Sequence, residues 1–173
     1  MNKRNNCRNQ NHNGNVDSVA NVGNVNISNA TPQSIAGLSA EQVGWLLEGF
    51  GVNLLVRRIA DNTAFLREVL GFHVLRADDF YALLEHRGHL HQLHVDATYH
   101  AHPLAALLPT CDLRGAGVEL RLYGLDPDVA ETRARNGGYE VLQSTADKPH
   151  GLRECFLLDP DGYCWVPSMK KTA

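Results

Sequence analysis

Apolar and polar positions alternate in two short runs that match each other. Val52, Leu54 and Val56 are interleaved with Gly51, Asn53 and Leu55, and Val118, Leu120 and Leu122 with Gly117, Glu119 and Arg121. A period of two predicts a strand in each run. After the first run, Ala64, Phe65, Glu68, Val69 and Leu70 fall at helical spacing, with Asp61 available as a cap and Gly71 as a stop. After the second, Asp126-Pro127-Asp128 opens a helix to about Asn136 and Gly137-Gly138 ends it. Strands are predicted at 72–76, 79–86 and 89–95, then at 139–143, 152–158 and 163–167. Each set closes with a hairpin turning on a glycine, Gly88 and Gly162. The pattern is β-α-β-β-β, written twice, and a repeat constrains a fold because each unit must bury its apolar face against something.

Outside the repeat the pattern changes. Ser39 followed by Gln42 is a capping box, and Val43, Leu46, Leu47 and Phe50 continue at helical spacing, so residues 39–50 are expected to form a short amphipathic helix packed on the domain or on a second subunit. Residues 1–38 form a leader with eleven asparagines before residue 31 and few large apolar side chains, a composition expected to stay disordered, with Thr31-Pro32 continuing the loop. Residues 96–114 form a connector with Pro103 and Pro109 and a possible helical turn over Leu104–Leu108. The organisation expected is thus a leader (1–38), a helix (39–50) and one domain (51–170) with modules at about 51–96 and 115–168.

Composition narrows the function classes. The net charge of −3 argues against nucleic acid as a partner. Lys3, Arg4, Arg8 and Asp17 place +2 on the leader, which leaves −5 on the rest, a weak preference for a neutral or cationic ligand. Four scattered cysteines, Cys7, Cys111, Cys155 and Cys164, read as free thiols of a reducing compartment, so a cytoplasmic location is expected. No run is long and apolar enough for a membrane span, and the N-terminus lacks the apolar segment of a signal peptide.

Two β-α-β-β-β units of this kind resemble the vicinal oxygen chelate superfamily of glyoxalases, ring-cleaving dioxygenases, fosfomycin-resistance enzymes and bleomycin-resistance proteins. The resemblance rests on Val56-Arg57-Arg58 through Phe65-Leu66-Arg67-Glu68-Val69-Leu70-Gly71-Phe72, and on Gly151–Phe156 running into Asp159-Pro160-Asp161-Gly162-Tyr163. It implies an α+β fold in which two βαβββ modules form a curved, cavity-lining mixed sheet with helices on the outer face. In metal-dependent members the ligands lie at the start of each first strand and on each last strand. Those positions here hold Gly51, Gln92, Gly117 and Val166, none of which is a strong ligand for a divalent ion. The resemblance therefore points to the metal-free, bleomycin-resistance-like members: no catalytic residue, no metal ligand, no cofactor, a homodimer and a small-molecule ligand. The alternative is a glyoxalase-like lyase or isomerase, or a dioxygenase, with a rearranged divalent-metal site built from Glu119 and His94 or another histidine.

Six of the nine histidines fall within 86–102. His89 and His91 share one strand face and His94 the other, which disperses them as metal ligands and leaves them as strand and loop residues. The register places Asn53, Gln92, His94, Glu119, Arg121 and Tyr123 on the cavity face, and these six are the expected ligand-binding residues, with the glycines leaving room beside them. Cys164 and Val166 follow on the same face. Cys164 has no base placed beside it, and Trp165 should lie opposite as core. Either Arg153 or Glu154 should reach the rim of the pocket.

Overall fold

The computed structural model describes residues 30–108 and 113–171. The predicted disorder of residues 1–29 lies outside them. The elements are α1 (Pro32–Ile35), α2 (Ala40–Gly44), β1 (Val52–Val56), α3 (Ile59–Glu68), β2 (His73–Ala77), β3 (Tyr81–His86), β4 (His89–Val95), β5 (Glu119–Tyr123), α4 (Pro127–Asn136), β6 (Glu140–Asp147), β7 (Leu152–Leu158) and β8 (Cys164–Lys170), with 3-10 turns at Asp96–Tyr99 and Pro103–Leu107. Each module is a four-stranded mixed sheet, ordered β1-β4-β3-β2 and β5-β8-β7-β6. In each, the first strand pairs in parallel with the last, and the other pairs are antiparallel. This is the expected α+β architecture of two βαβββ modules.

Period-two burial decides the faces. Leu54, Val56, Ala82, Leu84 and Leu93 turn toward α3, while Leu122, Cys155, Leu157 and Trp165 turn toward α4, and all join one core shared by the two modules. Trp165 is buried as expected, and Phe72 bridges the modules with its ring edge-on to Trp165 at 5.6 Å. The opposite, concave faces carry Asn53, Leu55, Gln92 and His94 in the first module and Glu119, Arg121, Cys164 and Val166 in the second.

The repeat also builds the joint between its halves. The turn of each hairpin reaches the strand-to-helix junction of the other module. Arg87, beside Gly88, donates to the carbonyls of Tyr123 (3.0 Å) and Gly124 (2.7 Å) where β5 leads into α4. Asp161, beside Gly162, accepts from the Arg57 amide (3.1 Å) and from Asn62 Nδ2 (2.7 Å) where β1 leads into α3. Arg114 joins the second clasp, 3.1 Å from Asp161 and bidentate to Asp96 at 2.6 and 2.7 Å.

Several boundaries differ from the sequence reading. Thr31-Pro32, expected to be loop, begins α1, where Thr31 and Ser34 form a capping box. The helix expected over 39–50 stops after five residues at Gly44; tighter turns follow, in which the Leu46 and Leu47 amides donate to the Val43 and Gly44 carbonyls, and Gly49 takes a positive φ of 71°. Its capping box of Ser39 and Gln42 is present. Asp61 lies in the first turn of α3 instead of at its cap, which Arg58 occupies. The sixth strand runs to Asp147, with register shifts that let it continue past Leu142.

Candidate functional site

The two concave faces, equivalent by sequence, differ in what covers them. In the first module α1 and α2 lie across the sheet. Ile35 and Val43 are buried against Leu75, Leu83 and Leu90, with Leu38, Leu46 and Tyr81 around them, in a cluster separate from the main core. The far end of the face is taken up by the 3-10 turn that carries Tyr99. Asn53 Nδ2 donates to Tyr99 Oη at 2.8 Å, and Tyr81 Oη donates to Gln92 Oε1 at 3.2 Å. The His94 ring packs 4.9 Å from Tyr81 and 5.4 Å from Tyr99, and burial holds its pKa below the usual imidazole value. Burial also pushes the Tyr81 hydroxyl up to about 12, which keeps it a hydrogen-bond donor.

Among the described residues no helix lies across the second module's concave face. A cavity of about 620 Å³ is lined by Leu113, Val118, Leu142, Phe156 and Leu158, with Gly117, Glu119, Gln143 and Cys164 as further walls. Leu113, Val118 and Leu142 are more than half exposed, an uncommon cost for large apolar side chains clustered on one concave surface. Arg121, which lines the cleft between the modules, stands between two carboxylates, Glu119 at 2.7 Å and the buried Glu154, and its guanidinium lies 5.7 Å from the centre of the Tyr123 ring. His150 Nε2 lies 3.5 Å from Glu154. Arg153 turns the other way, to Asp128 on α4, so Glu154 is the one of the pair that faces the site. The Lys148 ammonium sits 5.2 Å over Phe156. Burial, reinforced by Glu119, raises the Cys164 pKa, so its thiol stays protonated and poorly nucleophilic.

The six expected residues therefore fall into two groups. Asn53, Gln92 and His94 are engaged with tyrosines on the covered face, while Glu119, Arg121 and Tyr123 line the cleft between the modules, and Glu119 also stands on the wall of the second module's cavity. Phe156, Leu158 and Leu142 were not anticipated. The signal for the first two was present, since they continue the alternation that Glu154 begins. Gly117 takes a φ of 85° and an added Cβ would meet nothing within 4 Å, so its backbone conformation, and not lack of space, explains the glycine.

A metal site of the kind implied by the resemblance does not fit these residues. Val166 is fully buried, and Gln92 is bonded to Tyr81. Glu119 and His94 lie in different modules, and among the described residues no group of three or more His, Cys, Asp or Glu side chains is placed to hold an ion. The histidines near the hairpin tip serve the core instead. His86 stacks on Phe72 at 4.6 Å and His91 meets its edge at 5.0 Å, and burial lowers the His91 pKa to about 4, so that imidazole is neutral at physiological pH. These rings, with Val52, Leu120 and Trp165, also line a cleft of about 510 Å³ between the modules. Among the described residues no helix is long and apolar enough to cross a membrane.

Comparison with solved structures finds the same fold. A glyoxalase-related enzyme from Fulvimarina pelagi matches with a TM-score of 0.59 at 14% identity, covering 72% of this chain and 89% of its own. A glyoxalase/bleomycin resistance protein/dioxygenase family enzyme from Burkholderia phytofirmans PsJN matches with a TM-score of 0.59 at 17% identity, over 70% of this chain and 97% of its own. A glyoxalase/bleomycin resistance protein/dioxygenase from Nocardioides matches with a TM-score of 0.56 at 20% identity, over 80% and 89%. No curated protein matches the chain. The family model for the Glyoxalase/Bleomycin resistance protein/Dioxygenase superfamily matches residues 50–166, and the chain belongs to that superfamily.

Proposed function

We propose that the protein is a metal-independent small-molecule-binding protein, similar in character to the antibiotic-sequestering bleomycin-resistance proteins, and that it holds its ligand on the concave face of the second module. The carrying observation is the asymmetry of the two faces: one is covered by the chain's own segments, and the other keeps a cavity of about 620 Å³ walled by exposed Leu113, Val118 and Leu142 together with Phe156. Apolar walls supply affinity, and Glu119 and Gln143 on the same wall supply orientation, the division of labour common in small-molecule sites. Capture is stoichiometric, one ligand per chain, with no bond changed. The open rim at Leu113 and Val118 is where a second subunit would close the cavity, so the reading includes a homodimer.

A thermal-shift screen of aromatic and glycopeptide antibiotics, bleomycin among them, followed by calorimetry of any hit, tests this. Binding at one ligand per chain that Phe156→Asp abolishes supports it. A broad panel without a binder, or binding indifferent to Phe156→Asp, refutes it.

A further inference from the structure

The cleft of about 510 Å³ between the modules runs past the free edge of β5 into their shared core, where Val52, Leu120, Leu122 and Trp165 line it. The His86 and His91 rings complete the wall, and both pack on Phe72, at 4.6 and 5.0 Å. His86 Nε2 and His91 Nδ1 are buried with no hydrogen-bond partner among the described residues. Buried polar atoms are paired in the great majority of cases, so two orphaned ring nitrogens on one wall point to a partner from outside the chain. We propose that this cleft is a binding site, separate from the second-module face, for a flat, uncharged aromatic molecule with a hydroxyl on its rim, of the phenol or naphthol class, the hydroxyl bridging His86 and His91.

The chemistry of the walls selects that class. Burial holds both imidazoles below their usual pKa, so at neutral pH each ring carries one N–H and one bare nitrogen. A hydroxyl answers such a pair, accepting from one ring and donating to the other, whereas an ammonium has no acceptor and a carboxylate no donor. A half-turn of either ring about χ2 exchanges nitrogen for carbon within the same outline, so a nitrogen can turn to the cleft while the ring stays on Phe72. The charged side chains of the walls are already engaged. Arg121 pairs with Glu119 at 2.7 Å and with Glu154, and Arg87 donates to the Tyr123 and Gly124 carbonyls. With these charges paired, the desolvation of an ionic ligand would go uncompensated, which selects a neutral one. The other walls are largely apolar, and Phe50 and Tyr123 stand exposed on them, where aromatic faces and edges receive a flat ring.

The test uses the full chain carrying Trp45→Phe, which leaves Trp165 as its one tryptophan. The probe is β-naphthol, its uptake read as energy transfer from Trp165, and the comparator is its methyl ether, with the same rings and no hydroxyl to donate. Saturable transfer to β-naphthol is expected, with the ether bound about tenfold more weakly. His86→Phe and His91→Phe keep a ring against Phe72 and remove its nitrogens; each lowers β-naphthol affinity by about tenfold and leaves the ether unchanged. Where either variant fails to fold, the imidazole nitrogen resonances of the isotope-labelled, unsubstituted protein decide: saturating β-naphthol shifts those of His86 and His91. No saturable transfer, equal affinity for the two probes, or imidazole resonances that stay in place overturns the proposal. Phe156→Asp, which removes the second-module site, leaves β-naphthol binding intact, and loss of that binding in this variant overturns the assignment to the cleft. A chain that captures an antibiotic but not β-naphthol keeps the second-module site and loses this one, so the two failures are distinguishable.

Discussion

Asp161→Ala is the sharpest test of how the two modules are joined. The Asp161 carboxylate is almost wholly buried, and it accepts from the Arg57 amide and Asn62 Nδ2 and faces the guanidinium of Arg114, itself only 5% exposed. Removing it leaves a buried amide without an acceptor and a buried cation with Asp96 alone as counter-charge. Breaking a buried pair from one side costs about 3–5 kcal/mol, and the orphaned amide adds ~1–3 kcal/mol that overlaps with it. We take ~4 kcal/mol as the expected loss, a large share of the ~5–15 kcal/mol that stabilises a domain. At ~3 °C per kcal/mol for a chain of this size, the melting temperature falls by about 12 °C. Circular dichroism melts with urea titrations measure both quantities. Asp161→Asn, which keeps one acceptor, loses less. If Asp161→Ala costs under ~1 kcal/mol, in the range of an exposed ion pair, the clasp is not what holds the β1–α3 junction and the argument from burial fails.

Other consequences follow from the same geometry. Gly124 has a φ of 79°, and an added Cβ would lie 2.5 Å from Arg87 Nη1, so Gly124→Ala combines left-handed strain with loss of the opposite clasp; ~1–2 kcal/mol of destabilisation is expected from the strain alone, read by thermal melts. Glu131 is held down to about 2, first by the Thr145 amide hydrogen bond and also by Arg135, so its folded pKa lies below the ordinary 4.5. Its stabilising contribution is complete above pH 4.5 and is lost as pH falls from there toward 2. Glu131→Gln should therefore lower stability at neutral pH and flatten the acid limb in that window, and an unchanged acid limb would show that Glu131 is not linked to folding. Arg153→Ala, which removes the Asp128 and Asp147 pairs on the outer face, should leave ligand binding unchanged while Glu119→Gln weakens it, a contrast calorimetry resolves.

The repeat was readable because both halves obey the same local rules. Period two in β1 and β5, the Asp126 cap with Pro127 behind it, and glycines at Gly88 and Gly162 each have a short-range cause. The faces of Trp165, Gln92 and Glu119 followed from alternation once the resemblance had indicated which face lines the cavity. What lay beyond the sequence was tertiary. Nothing local indicates that Ile35 and Val43 fold back over Leu83 and Leu90, or that Tyr81 and Tyr99 sit against Gln92, His94 and Asn53. Thr31-Pro32 reads equally well as loop or as helix start, and packing of Ile35 decides it. His86 and His91 looked like strand decoration because their partner, Phe72, is distant in sequence, on the loop before β2.

The open concave face of the second module is the proposed ligand site. The most direct measurement is a chemical-shift map of the isotope-labelled protein titrated with the strongest binder from the screen. Perturbations are expected to centre on Leu142, Phe156, Leu158 and Glu119 and to saturate at one ligand per chain. Saturable binding that moves none of these, centred instead on the cleft around Val52 and Trp165, contradicts it.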